Sequence, residues 1–368
     1  MGKEVRCLTF LLQAVNPISF YLPSRKRIVL SVSGAGISGE LGPLLKVRVF
    51  YHDKCFDGAC SAALFSRFYR ERIREDIDFT FSGLLHRAGA LFNEADFDGD
   101  ENAIVDFKYS SSPKITWWFD HHESAFLSPA DAAHFERDQS NRKFYDPDFK
   151  SCTSFIAMIA QQRFGFDSAA VAELVHWTDV IDGALYSDAK TAVEMREPAM
   201  KLTMVIESAP DQRFVPNLIP LLARKPLAAI LEEPFVSPLL PPLLRRHELS
   251  IEILKQRTEC VDGTIFFDVT DHDLEGYNKF VPYYLHPESI YSVGLSKSSF
   301  RVKVSVGSNP WAPQEPVVNL AKICERYGGG GHARVGAISF NVNQHAAAIR
   351  ASREIVNELR GAVRSGKR

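Results

Sequence analysis

The sequence predicts an α/β protein in two parts: a parallel sheet with flanking helices, then a smaller mixed α/β domain. Three observations carry that reading. From Val47 onward, short β-rich runs alternate with helical patterns, the arrangement of βα units that feed a parallel sheet. The apolar run Ile115–Phe119 reads as a buried strand and ends abruptly in Asp120-His121-His122. A proline-rich interval at 234–244 then separates two stretches of domain size in a chain of 368 residues.

Composition narrows the function classes. Hydrophobic residues make up 45% and charged residues 24%, an ordinary soluble globular balance. The formal net charge is −2, so the chain lacks the global basic field of proteins that coat long nucleic acid. A short anionic substrate stays compatible, because a local pocket can hold it against a neutral background. Six cysteines without a CxxC pair fit neither a zinc ribbon nor a dense disulfide framework, and a reducing cytoplasm is the simpler expectation. No apolar run reaches the ~18–20 residues of a spanning helix, so no membrane partner is expected. Lys3 and Arg6 ahead of Leu8–Leu12 loosely imitate a secretory signal, but Gln13, Asn16 and Pro17 interrupt it.

Residues 1–46 read as a leader extension, poorly ordered or atypical, mixing Pro17, Pro23 and Arg25-Lys26-Arg27 with a Ser/Gly-rich stretch. Gly34-Ala35-Gly36-Ile37-Ser38-Gly39 matches GxGxxG on paper, yet Pro43 and the strand at Val47 leave no room for the helix that a dinucleotide fingerprint needs. Residues 47–233 form the first domain. Val47–Tyr51 is a strand that runs through His52-Asp53-Lys54-Cys55-Phe56-Asp57-Gly58 into a helix over Ala59–Arg72. Further strands are expected at Phe79–Phe81, at Ala103–Val105 ending in Asp106, and at Ile115–Phe119 ending in Asp120-His121-His122. Three strands ending in potential ligands point to one crevice, since open α/β sheets bind ligands outside the carboxyl ends of their strands.

Ser151-Cys152-Thr153-Ser154 is expected to cap a helix over Phe155–Arg163, and such a helix start can also hold a phosphate. The helix at 169–181 brings Asp179 and Asp182 onto one face near its end. Carboxylates there oppose the helix dipole, which calls for a cation or a lysine nearby. Proline-cut helical pieces fill 194–231, and 234–244 is the expected linker. Residues 245–368 form the second domain, with a helix at 245–258, strands at 263–269, 290–295, 300–306 and 337–340, and a closing helix at 346–363.

The candidate ligands are His52, Asp57, Asp106, Asp120, His121, His122, Asp179 and Asp182. Carboxylates with imidazoles suit Mn, Fe, Zn or Co better than calcium. Their number suits two ions sharing a bridging carboxylate, an arrangement that activates water for in-line phosphoryl displacement. In the second domain, Gly328-Gly329-Gly330-Gly331-His332 spends considerable backbone entropy, and the usual gain is close approach of N–H groups to an anion. Arg301, Lys303 and Arg334 are either lining for the same pocket or exposed strand charges, and Tyr283, Tyr284, Tyr291 and Trp311 are available to stack on a base or to pack in a core.

These residues carry a family resemblance. Asp120-His121-His122, with His52, Asp57-Gly58 and Asp106 upstream, resembles the DHH phosphoesterase superfamily. Gly328–His332 resembles the glycine-rich motif of its C-terminal DHHA1 domain, and motif order agrees over roughly residues 47–345. Relatives include RecJ-type exonucleases, nano-RNases, cyclic-dinucleotide phosphodiesterases, pyrophosphatases and exopolyphosphatases. The resemblance implies a phosphoric ester hydrolase with two Mn²⁺ ions (Mg²⁺ or Co²⁺ in some members). They would be held by His52, Asp57, Asp106, Asp120, His121 and Asp179 or Asp182, with Asp120, His121 and His122 as catalytic residues. Gly329, Gly330, Gly331, His332, Arg301 and Arg334 would bind the substrate, expected to be a short RNA or DNA oligonucleotide or a nucleotide. Inorganic pyrophosphate or polyphosphate hydrolysis, or a binding protein with altered chemistry, are the competing expectations, and a homodimer is compatible with all of them. One departure stands out. The usual first motif is H-x-D-x-D, and here Cys55 or Lys54 stands where its first aspartate belongs, leaving Cys55 as a thiolate ligand or Asp53 as a substitute.

Overall fold

A computed structural model describes residues 18–22, 26–33, 36–42, 44–86, 91–274 and 276–366. The signal-like stretch Lys3–Leu12, and Gly34-Ala35 of the GxGxxG match, lie outside these residues. By packing, the chain divides into two units, residues 1–175 with 210–224 and residues 176–209 with 225–368. Strands β1 (Ile18–Leu22), β2 (Lys26–Ser33) and β3 (Gly36–Gly42) pair antiparallel in that order. A further strand, not a helix, follows β3.

The first unit continues with β4 (Leu45–His52), α1 (Phe56–Arg72), β5 (Ile77–Leu84), β6 (Glu101–Val105), β7 (Ile115–Asp120), α2 (Pro129–Glu136), β8 (Lys143–Tyr145) and α3 (Cys152–Phe164), and among the described residues no helix separates β5, β6 and β7. The strands form one sheet in the order β5-β4-β6-β7-β8, with every neighbouring pair parallel. Trp117 and Trp118 show why β7 reads as an unbroken apolar run. Trp117 meets Phe65, Phe68 and Tyr69 of α1 on one face, while Trp118 meets Tyr109, Phe126 and Phe135 on the other. Both are at most 1% exposed, as a parallel strand covered on both faces requires. Removing either side chain would cost about 3–5 kcal/mol.

Register fixes the site. Tyr51 lies opposite Val105, and Val105 opposite Phe119, so β4, β6 and β7 end level with one another. The residues that follow, His52, Asp106 and Asp120, therefore stand side by side at one edge of the sheet. Gly58 allows α1 to start hard against this edge: a Cβ there would lie 2.1 Å from the His52 carbonyl oxygen.

The second unit begins within helix α4 (Ala172–Asp182), at His176, and takes in α5 (Ala189–Val193) and α6 (Pro198–Glu207), before α7 (Phe214–Leu222) returns to the first. The second unit continues with α8 (Leu227–Leu231), α9 (Leu240–Arg257), β9 (Glu259–Val261), β10 (Thr264–Asp268), α10 (Val281–Leu285), β11 (Tyr291–Lys297), β12 (Arg301–Ser308), α11 (Leu320–Glu325), β13 (Gly330–His332), β14 (Val335–Asn341) and α12 (His345–Gly366). Pro241 and Pro242 sit in the first turn of α9, where a missing N–H costs nothing. The sheet is mixed, in the order β13-β14-β12-β11-β10-β9, with β10 and β11 its parallel pair. Along β12, Val302, Val304 and Val306 are buried while Arg301, Lys303 and Ser305 alternate outward, the period of two of a half-covered strand. The valines pack with Ile355 and Leu359 of α12. No helix among the described residues is long and apolar enough to cross a membrane.

Candidate metal centre

Asp106 is the centre of the site. It follows the last residue of β6, the strand flanked by β4 and β7. Its φ is +56°, a left-handed conformation that aspartate tolerates better than most residues but still at a cost. The side chain is 1% exposed, and neither carboxylate oxygen has a hydrogen-bond partner among the described residues. An ionised carboxylate buried that way is expensive unless a cation compensates it. Burial pushes its pKa up, but His121 and His52 more than offset this and hold it below the usual carboxylate range.

Imidazoles surround it. His52 Nδ1 is 3.5 Å from Asp106 Oδ2, and His121 Nε2 is 3.5 Å from Asp106 Oδ1 and 3.7 Å from Asp57 Oδ2. These separations are too long for good hydrogen bonds and leave room for an ion between the partners. His121 is oriented by its other nitrogen: Nδ1 lies 3.1 Å from the Phe149 carbonyl, which can only accept, so Nδ1 carries the proton and Nε2 faces the carboxylates. Burial lowers the His121 pKa, yet Asp106 and Asp57 raise it to about 10, so without a metal this ring is an imidazolium.

Asp120 builds the turn. Its Oδ1 accepts from the His121 N–H at 2.8 Å, the His122 N–H at 3.3 Å and His122 Nδ1 at 2.7 Å. This fixes the His121 backbone and the His122 ring, directs His122 Nε2 away from the turn, and leaves the fully buried Oδ2 with no hydrogen-bond partner among the described residues. Burial lowers the His122 pKa, and Asp120 and Asp106 outweigh it, for a net rise.

Asp57, in the first turn of α1, answers the question raised by the Ser151–Ser154 cluster. Ser151 caps α3, accepting from the Ser154 N–H at 3.1 Å. The next N–H groups at that helix start, Cys152 at 2.6 Å and Thr153 at 2.9 Å, donate to the Asp57 carboxylate, and the Thr153 and Ser61 hydroxyls add bonds at 2.5 and 3.2 Å. The anion at this helix N-terminus is thus a side chain of the protein itself.

Among the described residues of the first unit, two groups of metal-competent atoms result, His52–Cys55–Asp106 and Asp106–His121–His122, the atoms of each lying within 4.8 Å of one another. Asp106 belongs to both, the position a bridging carboxylate takes. The donor set and the unsatisfied buried oxygens fit divalent transition-metal ions.

No family model and no curated protein sequence matches the chain. Solved structures do. A pGpG-specific phosphodiesterase, PggH from Vibrio cholerae, superposes with a TM-score of 0.61 at 16% identity, covering 86% of this chain and 99% of that one. The DHH domain of a protein assigned to a family of ribosomal proteins gives 0.54 at 13% identity, over 85% and 86%. RecJ from Thermus thermophilus in complex with Mn²⁺ gives 0.51 at 13% identity; 85% of this chain is covered, but only 52% of RecJ. The chain shares the fold of these three structures.

Within this fold, Asp179 and Asp182 ride on the last turn of α4, where the spacing predicted them, and belong to the second unit. The glycine run has a conformational cause. Gly328 and Gly331 have φ of +76° and +151°, and Cβ atoms at Gly329 and Gly331 would lie 2.3 and 2.2 Å from the carbonyl oxygens of Ala337 and Val335. Two of its N–H groups are spent inside the fold, Gly328 on Glu325 and Gly329 on Cys324. His332 is exposed, Arg334 pairs with Glu315, and Arg301 lies over the Phe300 ring. The aromatic candidates fare differently. Tyr283 and Tyr291 are buried, with hydroxyls engaged by Ser292 and by the N–H groups of Val317 and Val318, and Trp311 packs on Phe280. These three rings are packing elements, leaving the half-buried Tyr284, bonded to Glu194, as the remaining stacking candidate.

Two features escape sequence reasoning. His86 stands two residues beyond β5, its ring centroid 4.9 Å from that of His52 and stacked on Phe107 at 4.7 Å. Desolvation and then the neighbouring His52 lower its pKa. Its signal was present: β5 runs parallel to β4 with Leu84 opposite His52, so whatever follows β5 must flank the same edge. Thr153, the principal holder of Asp57, gave no signal beyond helix capping.

Proposed function

We propose that the chain is a metal-dependent phosphoesterase that hydrolyses phosphodiester bonds in short oligonucleotides or nucleotides. The observation that carries this is Asp106, a buried carboxylate with unsatisfied oxygens, shared by two groups of ligands at level strand tips. The fold shared with PggH and RecJ supports the same reading.

When bound, the ions supply Lewis acidity and a water acidic enough to serve as nucleophile. The chain supplies the rest. Asp106, common to both groups, would hold the ions together with His52, His121, Asp57 and Asp120, and Asp179 or Asp182 would be the fourth-motif ligand. His122, held by Asp120 through Nδ1, presents Nε2 to the phosphoryl oxygens or the leaving group. Gly329, Gly330, Gly331, His332, Arg301 and Arg334 of the second unit are the proposed substrate contacts, and a cytoplasmic location follows from the cysteine usage. Residues 47–233 and 245–368 are the proposed catalytic and substrate-binding domains, joined through 234–244.

Burial of Tyr283 and Tyr291 and the packing of Trp311 on Phe280 favour a second reading, hydrolysis of inorganic pyrophosphate or polyphosphate, which needs no platform for a base. Incubation with Mn²⁺ and a panel of linear dinucleotides such as pGpG, cyclic nucleotides, adenosine bisphosphate and pyrophosphate separates the two. Release of mononucleotides is expected; cleavage of pyrophosphate alone would overturn the first reading.

A further inference from the structure

We propose that Cys55 binds metal through its thiolate, so that the centre has two unlike positions. His52–Cys55–Asp106 would take a thiophilic ion such as Zn²⁺ or Co²⁺, and the second position, around Asp106 and His121, a harder ion such as Mn²⁺. This rests on the metal centre proposed above and specifies what it selects.

Geometry brings Cys55 to this position. Lys54 adopts a left-handed φ of +55°, turning the chain between β4 and α1. Cys55 then stands in extended conformation (φ −121°, ψ 134°) at the cap position of α1, and its side chain makes no capping bond to the helix. Its sulfur, a His52 nitrogen and an Asp106 oxygen lie within 4.8 Å of one another. Ligand atoms around a tetrahedral ion are roughly 3.4 Å apart, so small side-chain movements close the site. Two of the three already call for an ion: both oxygens of the 1% exposed Asp106, and the buried Nδ1 of His52, have no hydrogen-bond partner among the described residues.

The nearby carboxylate that could have served is directed elsewhere. Asp53 packs over Gly83, where a Cβ would lie 2.4 Å from the Asp53 Cγ, and its Oδ1 accepts from the Lys54 N–H at 2.9 Å. Asp53 therefore belongs to the contact with β5, and the third donor of this group is sulfur. Thiolate is a soft donor that prefers Zn²⁺ or Co²⁺ to Mn²⁺ or Mg²⁺, whereas the second group offers only oxygen and imidazole nitrogen. On coordination the S–H bond breaks, its electron pair goes to the metal and the proton leaves to solvent.

The full chain titrated with Co²⁺, followed by absorption, tests this. The expected result is a near-ultraviolet thiolate-to-cobalt charge-transfer band saturating at one equivalent. It should be lost in Cys55→Ser, retained in Cys260→Ser, and displaced by equimolar Zn²⁺ but not by a tenfold excess of Mn²⁺. Cys55→Asp, which restores an oxygen donor, should keep the metal stoichiometry and shift preference toward Mn²⁺ by about tenfold. Cobalt d–d bands without the charge-transfer band, or a band that survives in Cys55→Ser, would overturn the thiolate ligand and leave the metal centre standing. Absence of any Co²⁺ or Mn²⁺ uptake would instead overturn the centre itself, and this inference with it.

Discussion

Thr153 holds Asp57 twice, through its backbone N–H at 2.9 Å and its hydroxyl at 2.5 Å, from a position with no solvent exposure. A carboxylate fixed from behind presents its remaining lone pairs in one direction, as the proposed ligand role of Asp57 requires. Thr153→Val keeps the shape and removes only the hydroxyl. The expected cost is about 1.5–3 kcal/mol of stability, for a hydrogen bond to a charged group, together with roughly 10–100-fold weaker Mn²⁺ binding. Urea unfolding and a metal titration on the same variant check both numbers.

Gly58 makes the close start of α1 feasible. With a Cβ placed 2.1 Å from the His52 carbonyl oxygen, Gly58→Ala must push the helix off the strand tip or drag His52 with it. Because the atom in the way is backbone, relaxation is costly, and a loss of about 2–4 kcal/mol in stability is expected, with turnover falling at least as far. Thermal unfolding of Gly58→Ala beside Ala59→Gly, a neighbour inside the same helix, separates this clash from simple loss of helix propensity.

The pH response follows from the shifts at Asp106 and His121. Without metal, the raised His121 pKa of about 10 contributes stability that is fully present below the unfolded value of about 6.5 and is lost as pH rises towards 10. The depressed Asp106 pKa contributes stability present above about 3.9 and lost as pH falls below it. The metal-free protein should therefore be most stable between these limits. Metal loading requires the His121 proton to leave, so Mn²⁺ affinity should rise steadily between about pH 6 and pH 9. Titrations across that range, with thermal unfolding of the stripped protein alongside, show both trends.

Much of the first unit was legible because its signals are local. Strand runs ending in Asp106 and Asp120 can be read residue by residue, and the apolar run Ile115–Phe119 is a direct record of burial on both faces. What stayed hidden depends on register and packing. His86 joins the site because β5 pairs beside β4, and Thr153 because α3 starts against α1; neither neighbour is close in sequence. Tyr283, Tyr291 and Trp311 illustrate the opposite failure: an aromatic ring looks the same in sequence whether it will face a base or a core. The packing of Asp53 over Gly83, and of Cys55 beside His52 and Asp106, likewise depends on strand pairing that the first motif does not spell out.

Asp106→Asn tests the central claim most directly. The substitution keeps the shape of the residue shared by both ligand groups and removes its charge, and a neutral amide does not need a cation to be buried there. Metal content after equilibration with Mn²⁺ and gel filtration should fall from two ions per chain to less than one, with the far-ultraviolet circular dichroism unchanged. An unaltered stoichiometry in Asp106→Asn, or no bound metal in the parent protein, would contradict the account.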